Sequence, residues 1–190
     1  LKGPVNGSYL QPFQLSSVSW KEVSLKIGKS KLVLNEDFVF VGDADMKRNK
    51  KTDLVFLGLA SDENLSKVEV EGKLVGLWAI GNSVGQAVEK VMDAGAAGAL
   101  IVTMEGQANF DRMANRYKSL SGKGRMGFDK PTEQKPVFMV SSIKMAELFE
   151  SPVDLLKEAA KNDPSVISSQ KAVFKVVKQK DFIDTENVMA

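Results

Sequence analysis

Lys73–Met104 reads KLVGLWAIGNSVGQAVEKVMDAGAAGALIVTM. Leu74 to Ile80 is a nearly continuous apolar run, the mark of a strand covered on both faces. Beyond it Val84, Ala87, Val88, Val91 and Met92 recur at the spacing of one helical face, and Ser83 with Gln86 fits a capping box at the start of that helix. Gly95 can supply the left-handed stop. Ala96-Ala97-Gly98 then lets the chain turn closely against a sheet before Ala99 to Met104 runs as a second buried strand. Strand, helix and strand in that order predict a βαβ crossover with parallel strands, expected right-handed.

On the N-terminal side, Val68-Glu69-Val70 alternates as a strand does, and Leu54–Leu57 and Phe38–Val41 are short apolar runs bounded by Gly and Asp that read as buried strands. Between those two lies the basic run Lys47-Arg48-Asn49-Lys50-Lys51, read as a solvated loop because no aromatics interleave it. Val23–Ile27 alternates, and Gly28-Lys29-Ser30 supplies a turn before Lys31–Leu34, which predicts a hairpin. Leu1–Leu15, with Gly3, Pro4, Gly7 and Pro12 around Tyr9 and Phe13, reads as an extended arm. On the C-terminal side, 109–118 is a short polar helix and 119–134 a surface loop. Val137–Val140 is a strand, and Ser142 caps a helix through Glu150 with Met145, Leu148 and Phe149 inward. Ser151-Pro152 opens a further helix to about Lys161, and Ala172–Val177 is the last strand.

Composition narrows the chemistry. The 190 residues suit one domain with short flanks, and 43% hydrophobic with 26% charged residues predicts a packed core. Lys+Arg of 26 against Asp+Glu of 24 leaves a formal charge of +2, too balanced to point to nucleic acid. The absence of Cys excludes a disulfide framework, a thiolate metal site and a Cys nucleophile. The absence of His removes the commonest general base, the Ser-His-Asp arrangement and most zinc sites together. No apolar run is long enough to cross a membrane, no signal peptide is evident, and a start at Leu1 reads as a processed or trimmed fragment.

The motifs that could carry chemistry have simpler readings. Gly122-Lys-Gly124-Arg-Met-Gly127 matches G-x-G-x-x-G, but the dinucleotide fingerprint needs a strand directly before it and a helix opening from it. Here a polar helix precedes and Phe128-Asp129-Lys130-Pro131 follows, so a surface loop is expected. Asp43-Ala44-Asp45, with Asp62-Glu63, could offer oxygens to a hard cation, but too few and without EF-hand spacing, and they are read as solvated turns. Trp78 reads as core, and Ser83 as a cap instead of a nucleophile.

Three segments, Asp53-Leu-Val-Phe-Leu-Gly58, Val68-Glu-Val-Glu-Gly-Lys-Leu-Val75 and Ala94-Gly-Ala-Ala-Gly-Ala-Leu-Ile-Val102, resemble the protease-associated (PA) domain in order and spacing. Lys135-Pro-Val-Phe-Met-Val-Ser-Ser142 followed by Met145-Ala-Glu-Leu-Phe149 is similar to that domain's closing strand and helix, so the resemblance covers Asp37–Leu156. Gly7-Ser-Tyr-Leu-Gln-Pro-Phe13 and Thr185-Glu-Asn-Val-Met-Ala190 are similar to the segments that lead into and out of the PA insert of bacterial zinc aminopeptidases related to transferrin receptor and glutamate carboxypeptidase. The sequence departs from the pattern in its basic run and in Leu59, where an aromatic often follows the Gly of the first strand.

The resemblance implies an α+β PA-type domain with a mixed, partly barrel-like sheet, flanking helices and one βαβ crossover. It divides the chain into a flank from the parent peptidase at 1–15, the PA domain at 16–180 and a return strand toward a catalytic domain at 181–190, with the two junctions near Leu15 and Phe182 close together. It implies a non-catalytic module that shapes substrate access or docks a partner, secreted, periplasmic or at the cell surface. Its partners would be the parent's own catalytic domain and peptide substrates, with no nucleic acid and no transmembrane segment. No catalytic, cofactor-binding or metal-ligating residue is assigned within the chain; zinc is expected in the catalytic domain alone. The competing readings are a free-standing peptide- or carbohydrate-binding module and a small enzyme that uses carboxylates alone, as glycoside hydrolysis can.

Overall fold

A computed structural model describes residues 10–80, 84–121, 125–127 and 135–188. Its strands are β1 (Leu10–Ile27), β2 (Ser30–Leu32), β3 (Phe38–Val41), β4 (Met46–Gly58), β5 (Leu74–Trp78), β6 (Gly98–Val102), β7 (Arg125–Gly127), β8 (Val137–Val140) and β9 (Gln170–Val188). The helices are α1 (Asp62–Lys67), α2 (Val84–Asp93), α3 (Gln107–Ser121), α4 (Ser142–Leu148) and α5 (Val153–Lys161), with a 3-10 turn at Pro164–Val166. The strands lie in the order β2-β1-β9-β4-β5-β6-β8-β3, and β7 pairs with β1 off this path. β4, β5, β6 and β8 run parallel to their neighbours in that series and the other pairings are antiparallel, so the sheet is mixed. An isolated bridge between Leu34 and Phe38 brings the two edges together, and the sheet is barrel-like with one open seam.

Alternation along the strands divides the core in two. Leu54, Phe56, Leu74, Leu100, Phe138 and Phe174 point into the barrel, where α4 and α5 add Met145, Leu148, Leu156 and Ala160. Phe138 is the hub, with ring centroids 5.7 Å from Phe38, 5.9 Å from Phe40 and 5.7 Å from Phe174. Tilted and edge-on pairs of this kind add to the stabilisation that area burial gives. The next residues along the same strands, Val55, Val75, Leu77, Ala99 and Ile101, face outward and pack with Val91 of α2 and Phe110 and Ala114 of α3. Strands covered on both faces must be apolar throughout, which is why β5 and β6 read as continuous runs.

The crossover β5-α2-β6 is parallel and in register from Leu74↔Gly98 to Trp78↔Val102, and Gly95 takes the left-handed conformation at φ +90° after α2. The hairpin stands as expected in β1 and β2, as do β3, β8 and the α4–α5 pair. Ser141, one position before Ser142, caps α4 by accepting a hydrogen bond from the Lys144 amide at 3.0 Å. Three readings are corrected. Lys47–Lys51 is no loop but part of the exposed first half of β4, which pairs with β9 at Met46, Lys50 and Lys51 around an irregularity at 47–49. Val68-Glu69-Val70 is no strand: α1 ends just before it and Val70 turns into the outer core. The polar helix runs on to Ser121, and Arg125–Gly127 pairs with β1 at Ser16–Val18, inside the segment read as loop. The longest ladder joins β1 to β9, from Leu10↔Val188 to Ile27↔Ala172, and in it Leu15 lies opposite Ile183 and Ser16 opposite Phe182.

Candidate functional site

Two parallel neighbours, β4 and β5, end side by side at Gly58 and Trp78. Helices cannot close over strand ends as they do over faces, so crevices form at the carboxyl ends of parallel strands. Here the crevice is a cleft of about 380 Å³, between the Gly58–Ser61 turn, Trp78–Ile80 and the first turns of α2 at Gln86, Ala87 and Lys90. That volume lies at the small end of ligand-binding pockets. Leu59 and Ile80 form an apolar lip, each exposed by more than two-fifths, while Trp78 is buried at the base.

The turn that walls the cleft is held from behind. Gly58 adopts φ +65°, and a Cβ there would lie 2.3 Å from Ala160 Cα of α5, so only glycine lets β4 approach that helix. Ser61 caps α1 by accepting from the Asn64 amide at 3.1 Å, and Asp62 and Glu63 occupy the first turn, where carboxylates favour the helix N-terminus. Asn64 is 2% exposed, and its side-chain nitrogen donates to the carbonyls of Leu57, Leu59 and Ala160, each at 3.0 Å. A buried amide group with all its protons engaged fixes three segments together, whereas an unsatisfied one would cost about 1–3 kcal/mol. Lys90 meets Asp62 across the mouth at 2.6 Å.

The residues singled out by sequence scatter across the molecule. Trp78 is both core and cleft floor. Asp43 pairs with Lys178 Nζ, and Asp45 accepts from the Lys178 amide at 3.1 Å, so that acidic turn is tied to β9. Asp62 and Glu63 sit on α1, paired with Lys90 and with Lys67 at 2.8 Å. Ser83, Gly122 and Gly124 lie outside the described residues. Among the described residues no group of three or more His, Cys, Asp or Glu could hold a metal ion. Among the described residues the cleft contains no serine beside a base: Ser61 already caps a helix, and the sequence has no His. It can hold a side chain against an apolar lip and present a cation–carboxylate pair, and among the described residues no group is placed to attack a bond.

Sequence reasoning missed α1, Asn64 and the part that Leu59 plays in the cleft. The cap signature Ser61-Asp62-Glu63 was available for the helix. Nothing local marked Asn64, because two of its acceptors become neighbours only through a turn and one through α5.

The chain matches no family model and no curated protein sequence. Among solved structures it is similar to the aminopeptidase from Aneurinibacillus sp. strain AM-1, at 16% identity and a TM-score of 0.54 over 93% of this chain and 36% of that one. It is also similar to a zinc aminopeptidase from Bacillus subtilis, at 13% identity and a TM-score of 0.47 over 92% of this chain and 36% of that one. The chain thus spans about a third of the length of each, and the first likeness establishes the fold.

Proposed function

We propose that this chain is the non-catalytic PA domain of a secreted zinc aminopeptidase, a module that walls or gates a neighbouring peptidase site and performs no chemistry itself. The observation that carries the reading is the extent of the likeness: nearly the whole chain follows about a third of the Aneurinibacillus aminopeptidase. The paired ends support it, since the chain enters the sheet along β1 and leaves along β9 as neighbours, the arrangement in which an inserted domain leaves its host undisturbed. Zinc does not fit the residues of this chain, which has neither His nor Cys and, among the described residues, no cluster of carboxylates. In this reading the metal belongs to the catalytic domain, and the parent is the hydrolase.

The cleft beside Leu59 is the element best suited to meet a peptide, because it offers apolar surface and a fixed ion pair. The purified chain, washed with chelator, is expected to retain no zinc and to release no product from aminoacyl p-nitroanilides. Stoichiometric zinc by metal analysis, or turnover that purifies with the chain, would contradict the reading.

A further inference from the structure

The basic run that sequence assigned to a loop acquires a different meaning once it lies in β4. Register places Lys31 of β2 directly opposite Lys26 of β1, Lys26 opposite Val173 of β9, and Val173 opposite Lys51 of β4. Leu25, Leu32, Ala172 and Phe174 are buried, so by alternation this row faces outward, and Lys26, Lys31 and Lys51 are exposed. Back along β4 from Lys51, alternation keeps Asn49 and Lys47 on this face, and Lys47 is exposed, whereas Lys50, opposite the buried Phe174, belongs to the inner row. No carboxylate pairs with Lys26, Lys31, Lys47 or Lys51 among the described residues. The α1–α3 layer packs on the other outward face, over β4, β5 and β6.

Like charges directly opposite each other on neighbouring strands are destabilising, and strands sit only about 4.8 Å apart. The Lys26–Lys31 pair therefore works against the fold unless an anion lies over it. The rows on either side show the contrast. One holds Asp53 against Lys171 at 2.6 Å, the other Glu22 against Lys175 at 2.5 Å. A broad anionic sheet such as a membrane would meet those carboxylates, whereas a thread along the row meets cations alone. No aromatic side chain stands on the band among the described residues, so bases would find nothing to stack on.

We propose that the uncompensated row Lys31–Lys26–Lys51, continued along the same face of β4 to Lys47, is a docking track for a thread-like phosphate polymer recognised by its charge and not by bases. The track is separate from the cleft and independent of the peptidase reading. Its test uses the full chain, with long-chain inorganic polyphosphate as the probe, titrated at several salt concentrations. Each lysine that neutralises a phosphate releases about one counterion, which sets the slope of log affinity against log salt.

The triple variant K26Q/K31Q/K51Q is expected to fold at least as stably as the parent, because it removes a repulsive cross-strand pair. Its salt slope should be shallower by about two to three. The control K118Q/K157Q/K161Q removes three lysines from helices α3 and α5 and should leave the slope nearly unchanged. Equal losses in the two triples would mean that only net charge matters, and the track would be refuted. No saturable binding by the parent would refute it as well. Tighter binding of a single-stranded oligonucleotide than of polyphosphate with the same number of phosphates would overturn it in favour of nucleic acid. Tighter binding to phosphatidylglycerol vesicles at matched phosphate would overturn it in favour of a membrane surface.

Discussion

Gly58 and Gly72 share a left-handed backbone, φ +65° and +68°, in opposite surroundings. An added Cβ at Gly72 meets nothing within 4 Å, while at Gly58 it would strike Ala160. The conformational cost of alanine, about 1–2 kcal/mol, is common to both. Gly58→Ala should therefore lose about 1–3 kcal/mol more than Gly72→Ala, the cost of overpacking, by urea unfolding of each variant. Equal losses would show that β4 and α5 separate freely. The sequence displayed Gly58 as the end of an apolar run but not the reason for it, since Ala160 is remote along the chain. Asn64 is the same case: only the fold brings the Ala160 carbonyl to it.

Elements whose signal is their own periodicity were legible: the β5-α2-β6 crossover, the β1–β2 hairpin, and the capped helix α4. Elements whose signal is a partner were not. The basic run lies in a strand because β9 pairs with Met46 before it and with Lys50 and Lys51 at its end, and no apolar pattern announces that. The full lengths of β1 and β9 depend in the same way on each other. At the open seam, Lys144 of α4 reaches Asp37 in the β2–β3 link at 3.2 Å and Glu147 at 2.6 Å, while Asp37 also accepts from the Val33 amide at 2.9 Å.

The Glu147 carboxylate, and after it Asp37, hold the Lys144 ammonium above the usual lysine value of 10.5, with partial burial opposing them. A lysine raised in the folded state contributes stability that is complete below its unfolded value and lost as pH rises through the folded one. Thermal midpoints followed from about pH 9 to about pH 12 should fall less steeply in Glu147→Gln than in the parent. Parallel declines would remove this pair from any role in securing the seam.

At the scale of the molecule, β4 pairs with β9 only as far as Val176, and beyond it β1 and β9 continue together to Leu10 and Val188. Residues 15 and 183 are thus neighbours within one ladder, a proximity compatible with the proposed junctions near Leu15 and Phe182. The α+β class and the barrel-like mixed sheet were also legible, because the resemblance rested on segments that became β4, β5, β6 and β8. The cleft was not, since it is made by strand ends and a helix that meet only after folding.

The central claim is that this domain gates a peptidase site that lies elsewhere in a longer enzyme. The most direct measurement deletes residues 16–180 from that enzyme, lets the remaining β1 and β9 segments join through a short turn, and compares kcat/KM for short and long peptides after folding and zinc content are checked. We predict unchanged zinc and a shifted short-to-long ratio, because in the proposed reading the insert walls the catalytic site without ligating the metal. An unchanged ratio in a well-folded, zinc-replete deletion would contradict the account.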